Sequence, residues 1–381
     1  MHLESLTPLF ARSGPWATAY AGTAQATESA GTERRLTARD AGETLIGQGA
    51  DSRTARAVTE RLEAFRPQDE PHGRAVFANR GEVVLDLPLT QPPQQTLTSY
   101  SVLPHLAPLP ELMREDPLCL TVRIDRTGAD MELRDSQGVR PAGQALGSDY
   151  PVHRTATGDM SERHFELRVE ETWESNAGLI ADAVAERFAA TGADVLVLCG
   201  DARERRAVHD RLPPALREAA VETRHGGRAA GSDSELLDEA TEQARADYAQ
   251  RHTAEALDGL RAGHAPGAPG LSAGTAEDVP DLVEAAREHR IGTLLMGPGG
   301  TDRGREVWVG ENPDQLGVRR SELRYLGSSD PAPARADDAL LRSAAATDAE
   351  VLVTDGERDV PVGGMGALLR WTNDPGGAPL S

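Results

Sequence analysis

The chain has 381 residues with 61 acidic against 40 basic side chains, a net charge of −21, and only 4% aromatic residues. That length supports two or three domains, each burying its own core, and the acidic balance argues against non-specific binding to DNA or to an anionic membrane. Every basic residue is Arg and Lys is absent, which removes a P-loop phosphate lysine and a lysine Schiff base from consideration.

In chain order, a strand is predicted at 16–22 and a helix at 51–65. Two strands at 74–78 and 82–87 follow, joined by Asn79-Arg80-Gly81, a hairpin signal. Pro-rich stretches at 88–93 and 104–110 mark the end of a first α/β domain, residues 1–112. The next domain, 113–262, opens with strands at 118–125 and 131–135 around Thr127-Gly128.

From Phe165 the apolar residues recur as Val169, Trp173, Ala177, Ile180, Val184 and Phe188. Steps of three and four predict one stripe of a long helix over about 161–190, with Asp159-x-x-Glu162 at capping-box spacing before it. A buried strand at 194–199, a helix at 202–212, a strand around 221–225 and a second long helix after Ser232-x-x-Glu235 complete this domain.

Residues 263–274, rich in Gly, Pro and Ala, read as a linker. The last domain, 275–381, is expected to be an α/β/α sandwich. Its helices lie after Asp278 and at 337–346, and its strands at 291–296, 307–309, 351–354 and within 367–371. The fold class is thus α/β (α+β) in three domains.

The start Met1-His2-Leu3-Glu4 lacks the basic-then-apolar pattern of a signal peptide, and no run reaches about 18 apolar residues. Cys119 and Cys199 sit in separate apolar runs and form no C-x-x-C pair, which fits a reduced cytoplasm. No H-x-H or H-x-x-x-H spacing suggests a zinc set, and no metal or cofactor is expected.

Gly270-Leu271-Ser272-Ala273-Gly274 matches the nucleophile-elbow pattern, but a Pro/Gly segment precedes it where a buried strand is required, so it reads as linker. Gly297-Pro298-Gly299-Gly300 follows a strand without the G-x-G-x-x-G spacing of a dinucleotide turn and reads as a plain turn. Glu162, Glu166, Glu170, Glu171 and Glu174 read as a solvated face, favoured near a helix N-terminus.

Arg203, Arg205, Arg206 and Arg211 share one short helix with Asp201, Glu204 and Asp210. They form either an ordinary ion-pair surface or a contact to an RNA backbone or a partner. The most informative stretch is 153–164. It holds His153, Arg154, Gly158, Asp159, Met160, Ser161, Arg163 and His164, a Gly-containing loop with cationic flanks at the tip of the long helix.

At this loop and helix the sequence resembles the archaeal and eukaryotic class-1 release factor and Pelota superfamily, specifically its bacterial members, over about residues 113–371. Three features carry the resemblance. A strand pair leads to the loop, the long helix and Val195-Leu196-Val197-Leu198-Cys199-Gly200-Asp201; a Gly/Pro linker precedes an α/β/α domain similar to ribosomal L7Ae; and Gly363-Gly364-Met365-Gly366-Ala367-Leu368-Leu369-Arg370-Trp371 looks like that domain's closing strand.

In release factors the loop carries Gly-Gly-Gln. Anchored on Phe165, the matching positions here are Gly158, Asp159 and Met160, followed by Ser161. A thioether donates no hydrogen bond and accepts only weakly, whereas ester hydrolysis needs a held water and a stabilised oxyanion.

The resemblance therefore implies a translation factor that occupies the ribosomal A site of idle or stalled ribosomes without peptide release, a hibernation or stress role. It implies contacts to rRNA and elongation factor Tu as partner GTPase. No catalytic residue is expected. The alternative is a peptidyl-tRNA hydrolase or release factor acting through residues 158–161.

Overall fold

The computed structural model describes residues 3–22, 30–65, 72–113, 115–136, 138–147, 159–228, 234–263, 274–354 and 361–371. The backbone divides into two compact units, Met1–Glu115 with Thr253–Ser381 and Asp116–His252.

The amino-terminal part of the first unit contains α1 (Thr7–Phe10), β1 (Trp16–Gly22), α2 (Ala30–Gly47), α3 (Ser52–Glu63), β2 (Gly73–Asn79), β3 (Glu82–Pro88), β4 (Leu97–Ser101) and α4 (Leu109–Leu112). Its antiparallel sheet has the order β3-β2-β1-β4. Asp51 caps α3, its carboxylate accepting from the backbone N–H groups of Arg53 and Thr54, as the extended N-cap geometry requires.

Alternation along β1 sorts its side chains by size. Ala17, Ala19 and Ala21 face α2 and α3, packing with Ala38, Ala41, Leu45, Val58 and Leu62, where small residues let the helices approach. Trp16 and Tyr20, with Ala75 and Phe77 of β2, belong to a different core on the other face.

The second unit runs β5 (Cys119–Asp125), β6 (Gly128–Asp135), β7 (Gly138–Leu146), α5 (Asp159–Thr191), β8 (Val195–Gly200), α6 (Ala202–His209), α7 (Pro214–Ala219), β9 (Val221–Thr223) and the start of α8 (Ser234–Gly263). The five strands are ordered β7-β6-β5-β8-β9. β5, β6 and β7 form an antiparallel meander, while β8 pairs parallel with both β5 and β9.

One face of this sheet, with Leu120, Val122, Ile124, Leu196 and Leu198, packs on α5. The other, with Cys119, Val195, Val197 and Cys199, packs on Leu237, Ala244 and Tyr248 of α8. Gly200 ends β8 at φ +130°, and a Cβ there would meet the Ile124 carbonyl oxygen at 2.2 Å, so only glycine lets β8 close against β5.

The carboxy-terminal part of the first unit holds β10 (Thr275–Ala276), α9 (Val279–Arg287), β11 (Ile291–Met296), β12 (Glu306–Val309), β13 (Leu316–Gly317), α10 (Arg320–Tyr325), β14 (Ala332–Arg335), α11 (Ala336–Ala346), β15 (Glu350–Val353) and β16 (Met365–Leu369). One sheet is ordered β10-β16-β11-β15 and a smaller one β13-β12-β14. Leu294, Met296, Val351 and Ala367 share a core with α9 and α11, while Leu295, Leu352 and Leu368 pack on Ala256, Leu257 and Leu260. The end of α8 therefore supplies one layer of this α/β/α arrangement. Gly300 supports a turn that only glycine fits, since a Cβ would lie 2.2 Å from the Gly363 carbonyl oxygen.

The first and third sequence segments share a core. Leu3, Leu6, Leu9, Trp16, Tyr20 and Leu109 cluster with Leu282, Leu294, Leu340 and Met365. At this junction the buried Asp338 accepts hydrogen bonds from the N–H of Leu106 (2.7 Å) and of Ala107 (2.9 Å) and lies 2.9 Å from His105 Nδ1. Arg303 pairs with Glu111 and donates to the Ala107 carbonyl. Among the described residues, no helix is long and apolar enough to cross a membrane.

Candidate functional site

The site predicted from sequence centres on the start of α5. This helix carries the chain from β7, at one edge of the second unit's sheet, back to β8 on the far side of β5. Its 33 residues span about 50 Å at 1.5 Å per residue. Asn176, Ala177, Ile180, Ala181 and Val184 are buried, which places Ala177, Ile180 and Val184 of the expected stripe in the core against the sheet. Asn176 Nδ2 also donates to the Arg126 carbonyl at 3.2 Å, fastening α5 to the β5–β6 turn.

Asp159 precedes Asn176 by seventeen positions, roughly 25 Å of helix. The helix begins at Asp159, two residues before the sequence expectation. Asp159, Met160, Ser161, Arg163 and His164 therefore lie on its first two turns, their side chains outside the described residues. His153, Arg154 and Gly158 also lie outside the described residues, as does most of the nucleophile-elbow match at 270–274.

The arginine group divides into distinct environments. Arg205 turns inward, donating from Nε to Glu222 (2.8 Å) and from Nη1 to the carbonyls of Gly200 (3.1 Å) and Thr223 (2.8 Å). It ties the end of β8 to β9. Burial works to raise the Glu222 carboxyl, but the Arg205 hydrogen bond and the charges of His209, Arg205 and Arg206 outweigh it and hold the group below the ordinary glutamate range.

Arg203 follows the N-cap Asp201, whose carboxylate accepts the Arg203 backbone N–H. That hydrogen bond, with the charges of Arg126 and Arg205, holds the Asp201 carboxyl below the usual range. The Arg203 guanidinium lies 4.4 Å from the centroid of the Trp173 ring, a cation–π contact between α6 and α5. Arg206, 62% exposed, sits 3.0 Å from Asp210 and 3.4 Å from Glu222. Arg211 donates to the Ala207 carbonyl and approaches Glu174 at 3.9 Å.

Arg203, Arg206 and Arg211 thus lie on the shoulder of α5 interleaved with Asp201, Asp210, Glu222 and Glu174, a surface of ion pairs. Guanidinium forks of this kind suit phosphate oxygens. Trp173, assigned by its period to the buried stripe, is half-buried under Arg203. The signal that could have found this pair is a large aromatic at the edge of the apolar stripe, with an Arg-rich helix packed alongside.

The cysteines offer no nucleophile. Burial pushes the thiol of Cys119 up to about 11 and that of Cys199 to about 12, so both are neutral at physiological pH.

Comparison with known proteins places this unit. Residues 118–266 match the model of the bacterial archaeo-eukaryotic release factor family 2, a span that takes in almost all of the second unit. Two Mycobacterium tuberculosis sequences, each described as an uncharacterized protein, are 29% identical over 373 residues, covering 97% of this chain and 97% of their own length. Among solved structures, the archaeal translation termination factor aRF1 is similar at 14% identity, 96% coverage of both chains and TM-score 0.25. Ribosome-bound archaeal Pelota is similar at 16% identity, 97% coverage of this chain and 94% of its own, and TM-score 0.39. At those scores the two structures carry no argument about this chain. The family match covers residues 118–266, the first part of the 113–371 span over which the sequence resembles this superfamily.

Proposed function

We propose that this chain is a translation factor that occupies the A site of idle or stalled ribosomes and holds it without releasing peptide, a hibernation or stress role. The observation that carries this reading is the composition of the first turn of α5 within a release-factor family segment. Gly158, Asp159 and Met160 stand where the resemblance has Gly-Gly-Gln. Met160 supplies no donor and only a weak acceptor, and Asp159 removes the conformational freedom of a second glycine. By this resemblance the loop lacks the amide that ester hydrolysis uses.

The cationic groups fit a local rather than global attraction to RNA. In a chain of net charge −21, contact to rRNA falls to Arg154 and Arg163 beside the loop and to Arg203, Arg206 and Arg211 on the shoulder. Arg205 serves the sheet instead. The L7Ae-like reading of the carboxy-terminal α/β/α layers assigns that part to docking elongation factor Tu.

The test is sedimentation of the purified chain with vacant ribosomes and with ribosomes carrying peptidyl-tRNA, sampling released peptide in the same tubes. Binding without release above the spontaneous rate is expected. Release by the wild-type chain would make the loop hydrolytic, and failure to sediment with either ribosome would remove the reading.

A further inference from the structure

The two-residue turn between β2 and β3 is Arg80-Gly81, with Asn79 and Glu82 paired across it. Both turn residues have positive φ, 52° and 82°, the geometry for which Asn-Gly and Asp-Gly are the favoured pairs. A non-glycine residue with a long side chain holds this conformation at a cost. Among the described residues, the exposed Arg80 side chain makes no hydrogen bond, ion pair or ring contact that offsets it.

The turn rests on the start of α3. The Gly81 N–H donates to Thr54 Oγ1 at 2.7 Å, and the Arg53 stem lies over Gly81, so close that a Cβ there would meet Arg53 Cδ at 2.6 Å. Arg53 and Arg56 are both exposed on α3, and residues three apart on a helix have Cβ atoms about 5–6 Å apart. Arg53, Arg56 and Arg80 therefore gather where the turn meets the helix. Among the described residues none of the three has a carboxylate partner.

The carboxylates beside them are engaged elsewhere. Asp51 accepts from the backbone N–H groups of Arg53 and Thr54 and from the Thr54 hydroxyl, and Glu82 pairs with Arg12 at 3.0 Å. Four guanidiniums thus stand against two carboxylates, with Glu60, one turn beyond Arg56, the next along α3. Arg206 and Arg211, by contrast, each have an acidic neighbour. In a chain of net charge −21, the turn and the start of α3 form a local positive surface.

Exposed guanidinium forks in a row fit the oxygens of successive phosphates. The apolar residues of α3, Ala55, Val58 and Leu62, are buried, which leaves the helix no apolar face for a lipid surface. We propose that the β2–β3 turn and the exposed side of α3 bind the phosphodiester backbone of RNA through Arg53, Arg56 and Arg80. Such contacts position a chain without reading sequence. The choice of RNA as the polyanion rests on the proposed function, while the surface itself does not involve residues 158–161.

Fluorescence anisotropy of the full chain with two labelled RNA hairpins of unrelated sequence tests it. Both should bind with similar affinity, weakening steeply as salt is raised. Arg80→Asn supplies a favoured turn residue, so its melting temperature should equal or exceed that of wild type, while affinity falls and the salt slope drops by about one. Arg56→Gln should have the same effect on binding without altering the turn, and the double variant should bind about tenfold more weakly or worse. Arg39→Ala, which breaks an exposed ion pair with Glu43 on α2, should stay within about twofold.

Equal affinity and equal salt slope for wild type and the double variant overturn the proposal, as does absence of binding to either hairpin. Competition by polyglutamate as effective as that by unlabelled RNA assigns the surface to an acidic protein and overturns it as well. Hairpin binding that depends on Arg56 and Arg80, in a chain that fails to sediment with ribosomes, supports this surface and removes the proposed function alone.

Discussion

The helices α5 and α8 are of nearly equal length, 33 and 30 residues, yet packing accounts for them differently. α8 is buried from Leu237 and Ala244, in the core of the second unit, to Leu257 and Leu260, in a core of the first. In α5 the buried residues described run only from Asn176 to Val184. The sequence features that suggest function sit on its first two turns, upstream of that patch. A helix whose length is explained by its cores, as that of α8 is, is scaffold. The docking reading of the start of α5 rests on those sequence features alone.

The largest expected effect tests the anchored part of α5. Ile180→Asp should destabilise the second unit by several kcal/mol, about 3 or more, because it buries an unpaired charge. Met160→Asp should change stability by no more than about 0.5 kcal/mol if the first turn does not serve the core. Chemical denaturation of the two variants decides between them, and an equal loss in both would erase the distinction.

The next effect sharpens the other side. Leu260→Ala, at a side chain 2% exposed, should cost about 2–5 kcal/mol by leaving a cavity against β11, β15 and β16. A loss under 1 kcal/mol by the same denaturation would mean that the end of α8 is not the layer described.

A smaller effect carries a pH signature. Arg205→Ala should cost about 1.5–3 kcal/mol at neutral pH, through lost hydrogen bonds involving a charged group. The native Glu222 carboxyl lies below its ordinary value. Its contribution is therefore full above the ordinary glutamate range and is lost as the pH falls through the native pKa. The difference in melting temperature between wild type and variant should narrow on acidification across that window, and a constant difference would assign the loss to the carbonyl hydrogen bonds and packing instead.

The smallest is Trp173→Ala, which removes the stacking partner of Arg203 and should cost about 0.5–1 kcal/mol from that contact. A double-mutant cycle with Arg203→Ala isolates the coupling, and zero coupling would mean the two side chains act separately.

How far these elements could be read in advance follows from where their partners lie. β1 and β11 have the predicted ends, and α5 differs by two residues at its start, because their patterns are local and strongly periodic. β7 escaped notice because Gly138, Pro141 and Gly143 interrupt its alternation and the strand is largely exposed at the sheet edge. β4, with Thr and Ser at most positions, has little apolar signal. α2 buries only alanines and Leu45, too thin a stripe to recognise.

The helix expected over 202–212 stops at His209, and α7 starts at Pro214, where Pro favours the first helical turn. In the candidate site, the inward turn of Arg205 had no local signal, since Glu222 lies 17 residues away.

The most direct test of the central claim is a competition for the ribosomal A site. Labelled chain is bound to ribosomes with a filled P site, and cognate aminoacyl-tRNA is added together with its codon in the A site. The account predicts mutual exclusion, with tRNA displacing the chain in proportion to A-site occupancy. Simultaneous binding of both at full occupancy would contradict it.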